Sequence, residues 1–358
     1  AAPLRRSNHR GAVIMGVRRT LVVALVATAA VVFVASPASA DPATPTNYRS
    51  QVIYVEGPGV SDVEIIGGDA FVRLTATPGV TLEILGYEGE EYIRFDPDGS
   101  VHVNQRSPSK YLNDDRYANV ELPAEADAAA VPRWETVSFD GIYSWHDHRT
   151  HWMSPTPPAS VGESDGAETV RIFDWVLPFR ADGEEGRIVG ALTWVPGATG
   201  LPWFVLVVMT TVAFAAGAMR LGARPQAMLL LALAAAAMFA AAAAMAAQPP
   251  EGRVFGIDLL GPPVIVGLAI LALAQARASA RAATRYVLIG SIGLVVWGAM
   301  RVGVLTHPIL PTVLPYALDR LIAAVVIGGA LGLSVGITTS ITLQNRSRRI
   351  SGDRHRAS

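Results

Sequence analysis

The sequence contains no cysteine and a single lysine, Lys110. Without cysteine the chain can form neither a disulfide bond nor a thiolate metal site, and it has no thiolate nucleophile. A domain of this chain that is exported must therefore be stabilised by burial of its core alone. A metal site would have to use nitrogen, oxygen or thioether ligands.

Several motifs of soluble enzymes are also missing from the sequence. It has no glycine-rich phosphate-binding loop, no nucleophile elbow around a serine and no His-Glu-x-x-His zinc motif. No basic stripe of the kind that binds nucleic acid occurs in its first two hundred residues. The sequence thus predicts neither an enzyme nor a nucleic-acid-binding protein.

A hydrophobic content of 51% and a positive mean hydropathy indicate a membrane protein. The first apolar segment is typical of a secretory signal: arginines precede an apolar run at 21–34, and an Ala-Ser-Ala tripeptide at 38–40 forms a cleavage site. We expect residues 1–40 to be a leader and signal peptide, and the mature protein to begin at Asp41. An uncleaved anchor is the alternative, although the run is short for a membrane span.

From Trp203 onward the composition changes abruptly to long apolar stretches. Five of them have close to the ~20 residues that a helix needs to cross a bilayer. They lie at 203–219, 227–247, 257–274, 286–305 and 318–343. We expect residues 197–343 to form a five-helix transmembrane domain in the plasma membrane, followed by a basic cytoplasmic tail at 344–358.

The net charge of −1 conceals a strong asymmetry. Residues 41–200 carry 26 acidic and 11 basic side chains, a net charge of −15, whereas the rest of the chain carries 4 acidic and 18 basic ones, a net charge of +14. The arginines of the membrane half cluster in alternate loops and in the tail, and the intervening loops contribute only Arg253. The positive-inside rule therefore predicts an acidic domain outside the cell and a C-terminus in the cytoplasm.

Residues 41–196 are predicted to form an all-β extracytoplasmic domain. Short alternating apolar runs recur about every ten residues between Gly, Pro and Asp turns, which is typical of an antiparallel sandwich. Strands are expected at 51–56, 63–66, 70–76, 81–85, 92–95, 101–103, 134–139, 142–148, 169–180 and 186–195. Asp182-Gly183 between the last two is the strongest hairpin signal of the chain. Residues 113–115 are expected to be a solvated turn.

Three of the seven histidines lie within the segment Trp145-His146-Asp147-His148-Arg149-Thr150-His151-Trp152-Met153. On an extended strand at 142–148, His146 and His148 would point to one face, because residues two apart share a side of a strand. His151, beyond the following turn, can supply a third nitrogen. The spacing predicts a three-histidine metal site.

The neighbours of these histidines bear on the kind of site. Neutral imidazole binds copper and zinc, and the thioether of Met153 would favour Cu(I). Asp147 or another carboxylate is expected to hold the histidine tautomers from the second coordination sphere. In the alternative interpretation the cluster is structural: Arg149 pairs with Asp147, and the two tryptophans cover the core. His102, between two valines of another strand, is expected to face solvent.

Polar residues also gather at the outer ends of the predicted spans. They are Asp258, Arg301, His307 and Asp319. An ionisable residue within a span is rare and commonly functional, so Arg301 is expected to pair with Asp319 or Asp258. Extension of the Arg301 side chain to the membrane surface is the alternative.

The run Trp175-Val176-Leu177-Pro178, followed by Asp182-Gly183 and Gly190-Ala191-Leu192-Thr193-Trp194, resembles the closing hairpin of CopC-type copper-resistance proteins. The resemblance implies an Ig-like sandwich, and some members of that family are fused to membrane spans. Glu184 stands where the family has a copper-binding histidine, and the predicted mature N-terminus, Asp41, is not a histidine. The family's copper ligands therefore do not carry over to this chain.

The whole arrangement resembles actinobacterial multi-pass membrane proteins with an exported β-sandwich domain, a resemblance that implies no activity. Two functions are compatible with the sequence. One is the binding or handling of copper, with a metal chaperone as a partner. The other is a non-catalytic envelope protein in which the histidine segment docks the exported domain onto the helices or onto another envelope protein. Transport through the helices is a third hypothesis.

Overall fold

The computed structural model describes residues 42–163 and 166–356, with side chains described as far as Ser347. The predicted signal peptide lies outside these residues. Within them, antiparallel β-sheets form the N-terminal half and five long apolar helices form the C-terminal half. The predicted fold class is confirmed.

The described residues contain ten strands. They are β1 (Tyr48–Glu56), β2 (Val60–Ile66), β3 (Phe71–Ala76), β4 (Leu82–Leu85), β5 (Glu91–Phe95), β6 (Val101–Asn104), β7 (Trp134–Ser138), β8 (Ile142–Trp145), β9 (Val170–Ala181) and β10 (Glu184–Trp194). One sheet has the order β1-β10-β9-β4-β5-β6-β7, and a smaller one has the order β2-β3-β8. Two short helices, α1 (Pro108–Leu112) and α2 (Ala159–Glu163), lie in the connections.

The two sheets share one hydrophobic core, to which alternate residues of their strands contribute. In β9 the side chains of Trp175, Leu177 and Phe179 are buried, whereas the intervening Val176 is exposed. The hairpin between β9 and β10 forms as predicted, with Ala181 paired to Glu184. Asp182 and Gly183 both have positive φ, 48° and 86°, as a type I′ turn requires.

The strand predicted at 142–148 is shorter in the structure. It ends at Trp145, and a 3₁₀ turn, His148–Thr150, follows. The carboxylate of Asp147 caps this turn by accepting a hydrogen bond from the backbone N–H of Arg149 at 3.1 Å. His146 and His148 therefore do not lie on one extended strand, and the prediction of a shared strand face is wrong.

Five helices of the described chain are long and apolar enough to cross a membrane. They are α3 (Leu201–Arg220), α4 (Ala223–Ala246), α5 (Ile257–Gln275), α6 (Ala280–Met300) and α7 (Tyr316–Arg356). Each of the five predicted spans coincides largely with one of these helices. The fourth helix lies nearer the N-terminus than predicted: α6 begins at Ala280 instead of residue 286 and ends at Met300, where Arg301 caps it and a 3₁₀ turn follows.

Helix α7 packs closely on α3 through three glycines spaced four residues apart, Gly328, Gly332 and Gly336. A Cβ atom on Gly332 would lie 2.5 Å from the carbonyl oxygen of Thr211. Small residues at this spacing let two membrane helices approach until their backbones touch. Helix α4 instead contributes a run of buried alanines to the centre of the bundle.

The β domain rests on the loops at one end of the bundle. The backbone of Ala43 exchanges two hydrogen bonds of 3.0 Å with the side chain of Gln248, and Thr46 forms an antiparallel bridge with Ile309. Gln248 belongs to the α4–α5 loop and Ile309 to the α6–α7 loop, the two loops that are poor in arginine. The arginine-rich connections lie at the opposite end of the bundle.

The glycine contact between α3 and α7 yields a stability prediction. Gly332→Leu should destabilise the bundle by about 1–3 kcal/mol, because the new side chain meets backbone atoms that cannot move aside. Gly267→Leu in α5 is the matched control, since no atom lies within 4 Å of its Cβ position. Thermal unfolding of the full-length protein in detergent should show a lower melting temperature for the first variant only. Equal melting temperatures would contradict the packing described.

Candidate metal centre

The structure brings His146, His148 and His151 together although their strand geometry differs from the prediction. One nitrogen atom can be chosen from each ring so that all three nitrogens lie within 4.8 Å of one another. The ring centroids of His146 and His151 are 4.3 Å apart, and those of His148 and His151 are 5.3 Å apart. The turn capped by Asp147 produces this convergence, because it carries His151 back beside the end of β8.

A backbone carbonyl orients each ring of this histidine triad. His146 donates from Nδ1 to Ala70 at 2.5 Å, His151 donates from Nδ1 to Trp152 at 3.1 Å, and His148 donates from Nε2 to Asp115 at 2.8 Å. A carbonyl oxygen can only accept, so each of these nitrogens carries the ring proton. The lone pairs of the other three nitrogens remain to bind a ligand.

The histidine triad is largely buried. His146 is 2% exposed and His151 is 1% exposed, whereas His148 is partly exposed. Burial lowers the pKa of His146 to about 4 and that of His151 to about 2, and it also lowers the pKa of His148. All three rings are consequently neutral at pH 7. The Nε2 atoms of His146 and His151 have no hydrogen-bond partner among the described residues.

The carboxylate of Asp147 binds Arg149 rather than a histidine. Arg149 donates from Nε and Nη2 to the two carboxylate oxygens, both at 2.8 Å, and Trp145 donates from Nε1 at 3.0 Å. Burial alone would raise the pKa of Asp147, but the guanidinium and these hydrogen bonds outweigh it and lower the pKa. The tautomers of the triad are therefore fixed by carbonyls, whereas Asp147 shapes the turn that carries them.

A polar layer that sequence reasoning missed lies beneath His148. Its backbone N–H donates to the hydroxyl of Tyr87 at 2.9 Å, and that hydroxyl donates to Asn113. Asn113 also donates to the hydroxyl of Tyr92 at 3.2 Å and is 4% exposed. The expectation of a solvated turn at 113–115 is wrong for Asn113, because this buried network holds it.

An ion pair between a partly exposed arginine and a buried carboxylate connects two of the segments that supply carbonyls. Arg116 donates from Nη2 to the carboxylate of Asp69 at 2.5 Å, and Asp69 is 1% exposed. Asp69 precedes Ala70, and Arg116 follows Asp115, so the pair flanks the acceptors of His146 and His148. These residues are 47 positions apart, and no local motif in the sequence indicated that they would meet.

Access to the triad is from a cleft on the His148 side. Its walls include Arg149, Trp152 and Met153 together with His148 and His151. Met153 is 37% exposed at this opening. A three-nitrogen centre with one open side can bind a metal ion and still reach a further ligand. His102 does not join it: that ring contacts Asp96 at 3.0 Å on the larger sheet, partly buried rather than facing solvent.

The polar residues of the bundle form a separate group. Arg301 donates to both carboxylate oxygens of Asp319, at 3.0 and 3.2 Å, so Asp319 is its partner. Asp258 takes part through its backbone carbonyl, which accepts from Trp297 at 2.8 Å. His307 donates to the carbonyl of Gly303, also at 2.8 Å. These contacts brace the ends of the helices below the β domain.

Comparisons of the chain with protein-family models, curated proteins and solved structures find no match. The class of the protein therefore rests on its own fold and site. It is a protein with five membrane-type helices and a β domain, whose histidine cluster can hold a metal ion.

The Asp147–Arg149 pair yields a second stability prediction. Asp147→Asn should destabilise the folded protein by about 3 kcal/mol, because it leaves a largely buried guanidinium without its counter-charge. Asp174→Asn makes the same chemical change in an exposed pair with Arg171 and should cost less than about 1 kcal/mol. Urea unfolding of the full-length protein, followed by tryptophan fluorescence, measures both. Similar losses in the two variants would contradict the role given to Asp147.

The lowered pKa values of the triad predict a pH-dependent stability. In the unfolded chain a histidine titrates near pH 6.5. Below that pH the unfolded state therefore binds protons, whereas His146 and His151 in the folded state stay neutral because they are buried. Stability should therefore fall as the pH drops from 7 toward 4, by up to ~1.4 kcal/mol per pH unit for each ring. Unfolding free energies across this range should show a shallower slope in a His146→Gln, His151→Gln variant. An unchanged slope would contradict the burial of neutral rings.

Proposed function

We propose that this protein is a membrane-anchored metal-binding protein whose histidine triad binds copper. The observation that supports this most directly is the pair of buried Nε2 lone pairs on His146 and His151. A buried polar atom without a partner is rare and is commonly explained by a bound ion or water molecule. Here two such atoms lie beside the third imidazole, and one nitrogen of each of the three rings is within 4.8 Å of the others, close enough to hold one metal ion.

The choice of copper follows from the ligands. Neutral imidazoles suit both copper and zinc, and no cysteine or coordinating carboxylate favours zinc at this cluster. The thioether of Met153 borders the same cleft as His148 and His151. A thioether at the mouth of a three-imidazole centre favours Cu(I) over Zn(II), so we assign Met153 as an auxiliary ligand.

We further propose a location and a membrane topology for the chain. Residues 1–40 direct export, residues 41–196 form a domain outside an actinobacterial plasma membrane, residues 197–343 cross the membrane and residues 344–358 lie in the cytoplasm. The two arginine-poor loops contact the β domain, which supports this orientation because arginine is enriched in cytoplasmic loops. A copper chaperone of the envelope is the partner that this location suggests.

A second candidate function is non-catalytic docking. Ser144 of β8 donates hydrogen bonds to the carboxylate of Glu251 in the α4–α5 loop. The ring of Phe71, which makes an edge contact with His146 at 6.3 Å, leaves no room for a side chain on Gly252 in the same loop. The histidine segment therefore abuts the interface between the β domain and the bundle, and a purely structural cluster would serve that interface.

Metal titration of the full-length protein in detergent separates the two candidates. We expect one Cu(I) ion per chain, measured by competition with a chromogenic chelator, and a melting temperature that rises with copper. A His146→Ala, His148→Ala, His151→Ala variant should lose both responses. Met153→Leu should weaken Cu(I) binding while leaving Zn(II) binding unchanged.

The matched control is a His102→Ala, His307→Ala variant, which removes two histidines outside the triad and should bind copper normally. His148→Ala alone keeps the buried rings and tests the site should the triple variant fold poorly. If the wild-type chain takes up no metal, and the triad variants only lower the melting temperature, docking is the function and the metal proposal is wrong.

A further inference from the structure

A groove between α4 and α5 opens at the end of the bundle that lies away from the β domain. Its lining combines two guanidinium groups with an apolar floor. The residues are Arg224, Met228, Leu231, Leu273, Ala274 and Arg277. Arg224 lies in the first turn of α4, and Arg277 lies just beyond the last residue of α5.

The two arginines of this groove are not compensated by acidic residues. Both are exposed, and neither forms an ion pair within the described part of the chain. Between residues 203 and 318 the sequence has only two acidic side chains, Glu251 and Asp258, and both lie at the other end of the bundle. The groove therefore has an uncompensated positive charge.

The position and the lining of the groove indicate which kind of ligand it can bind. Helices α4 and α5 cross the apolar part of the membrane, so their ends lie at the level of the lipid headgroups. A guanidinium binds a phosphate through two parallel hydrogen bonds, and Met228, Leu231 and Leu273 offer an acyl chain an apolar surface. A free phosphate ion would leave that apolar surface exposed.

We propose that this groove is a binding site for an anionic phospholipid, with its phosphodiester between Arg224 and Arg277 and one acyl chain along the apolar floor. Basic pockets between membrane helices recognise anionic headgroups by this combination of charge and apolar contact. Such a lipid neutralises the arginines and fills the space between α4 and α5. The proposal does not depend on metal binding at the histidine triad.

Native mass spectrometry of the full-length protein in a neutral detergent tests the site. Dioleoylphosphatidylglycerol and dioleoylphosphatidylcholine have the same acyl chains and differ in headgroup charge. We expect the first molecule of phosphatidylglycerol that binds to the protein to do so at least about tenfold more tightly than the first molecule of phosphatidylcholine. An Arg224→Gln, Arg277→Gln variant should bind both lipids equally.

Two further variants exclude a diffuse charge effect. Arg281→Gln with Arg285→Gln removes the same charge from the same end of the bundle, outside the groove, and should keep the preference for phosphatidylglycerol. Ala274→Phe keeps every charge but fills the floor of the groove, and it should weaken phosphatidylglycerol binding. Ala274 and the four arginines are exposed, so melting temperatures should stay close to that of the wild type.

Three results would overturn the proposal. The first is equal binding of the two lipids to the wild-type protein. The second is an equal loss of preference in both arginine pairs, which would indicate a nonspecific charge effect. The third is complete displacement of the lipid by inorganic phosphate, which would indicate a headgroup-only anion site.

Discussion

The carbonyl oxygens of Ala70, Asp115 and Trp152 come from three parts of the chain, and each holds one ring of the histidine triad. The rest of the site depends on this constraint. Because each carbonyl binds the protonated nitrogen, it fixes the tautomer and leaves the lone pair of the other nitrogen available to a ligand. Burial then keeps the rings neutral, which is the state in which imidazole binds a metal.

Two ion pairs with buried carboxylates hold these three acceptors in place. Asp69 and Arg116 connect the start of β3 to the loop that carries Asp115, so two acceptors move together. Asp147 and Arg149 fold the chain after β8 into the turn that returns His151. Breaking either pair would leave a charge in a poorly solvated place, so both pairs favour this one arrangement of the backbone. A cysteine-free domain thus orders its candidate metal centre through hydrogen bonds and ion pairs alone.

Local patterns were enough to predict the fold class and the clustering of the three histidines, because both depend on residues close together in the chain. The alternation around Trp175 places β9, and the length of the apolar runs places the five helices. The turn at Asp147 was not predicted, since the apolar alternation suggested a continuous strand. The pairing of Asp69 with Arg116 depends on packing between distant segments, which no local pattern encodes. The glycine repeat that begins at Gly328 could have been read from its four-residue spacing.

The position of the triad beside the bundle suggests how its two proposed roles are related. Phe71 contacts His146 on one side and the α4–α5 loop on the other, so the cluster and the interface share a residue.

X-ray absorption spectroscopy of the copper-loaded full-length protein tests the central claim most directly. Three imidazole nitrogens should surround the ion, with the multiple-scattering signature of their rings, and the triad variant should lose that signature. A spectrum of oxygen ligands without imidazole scattering would contradict the account.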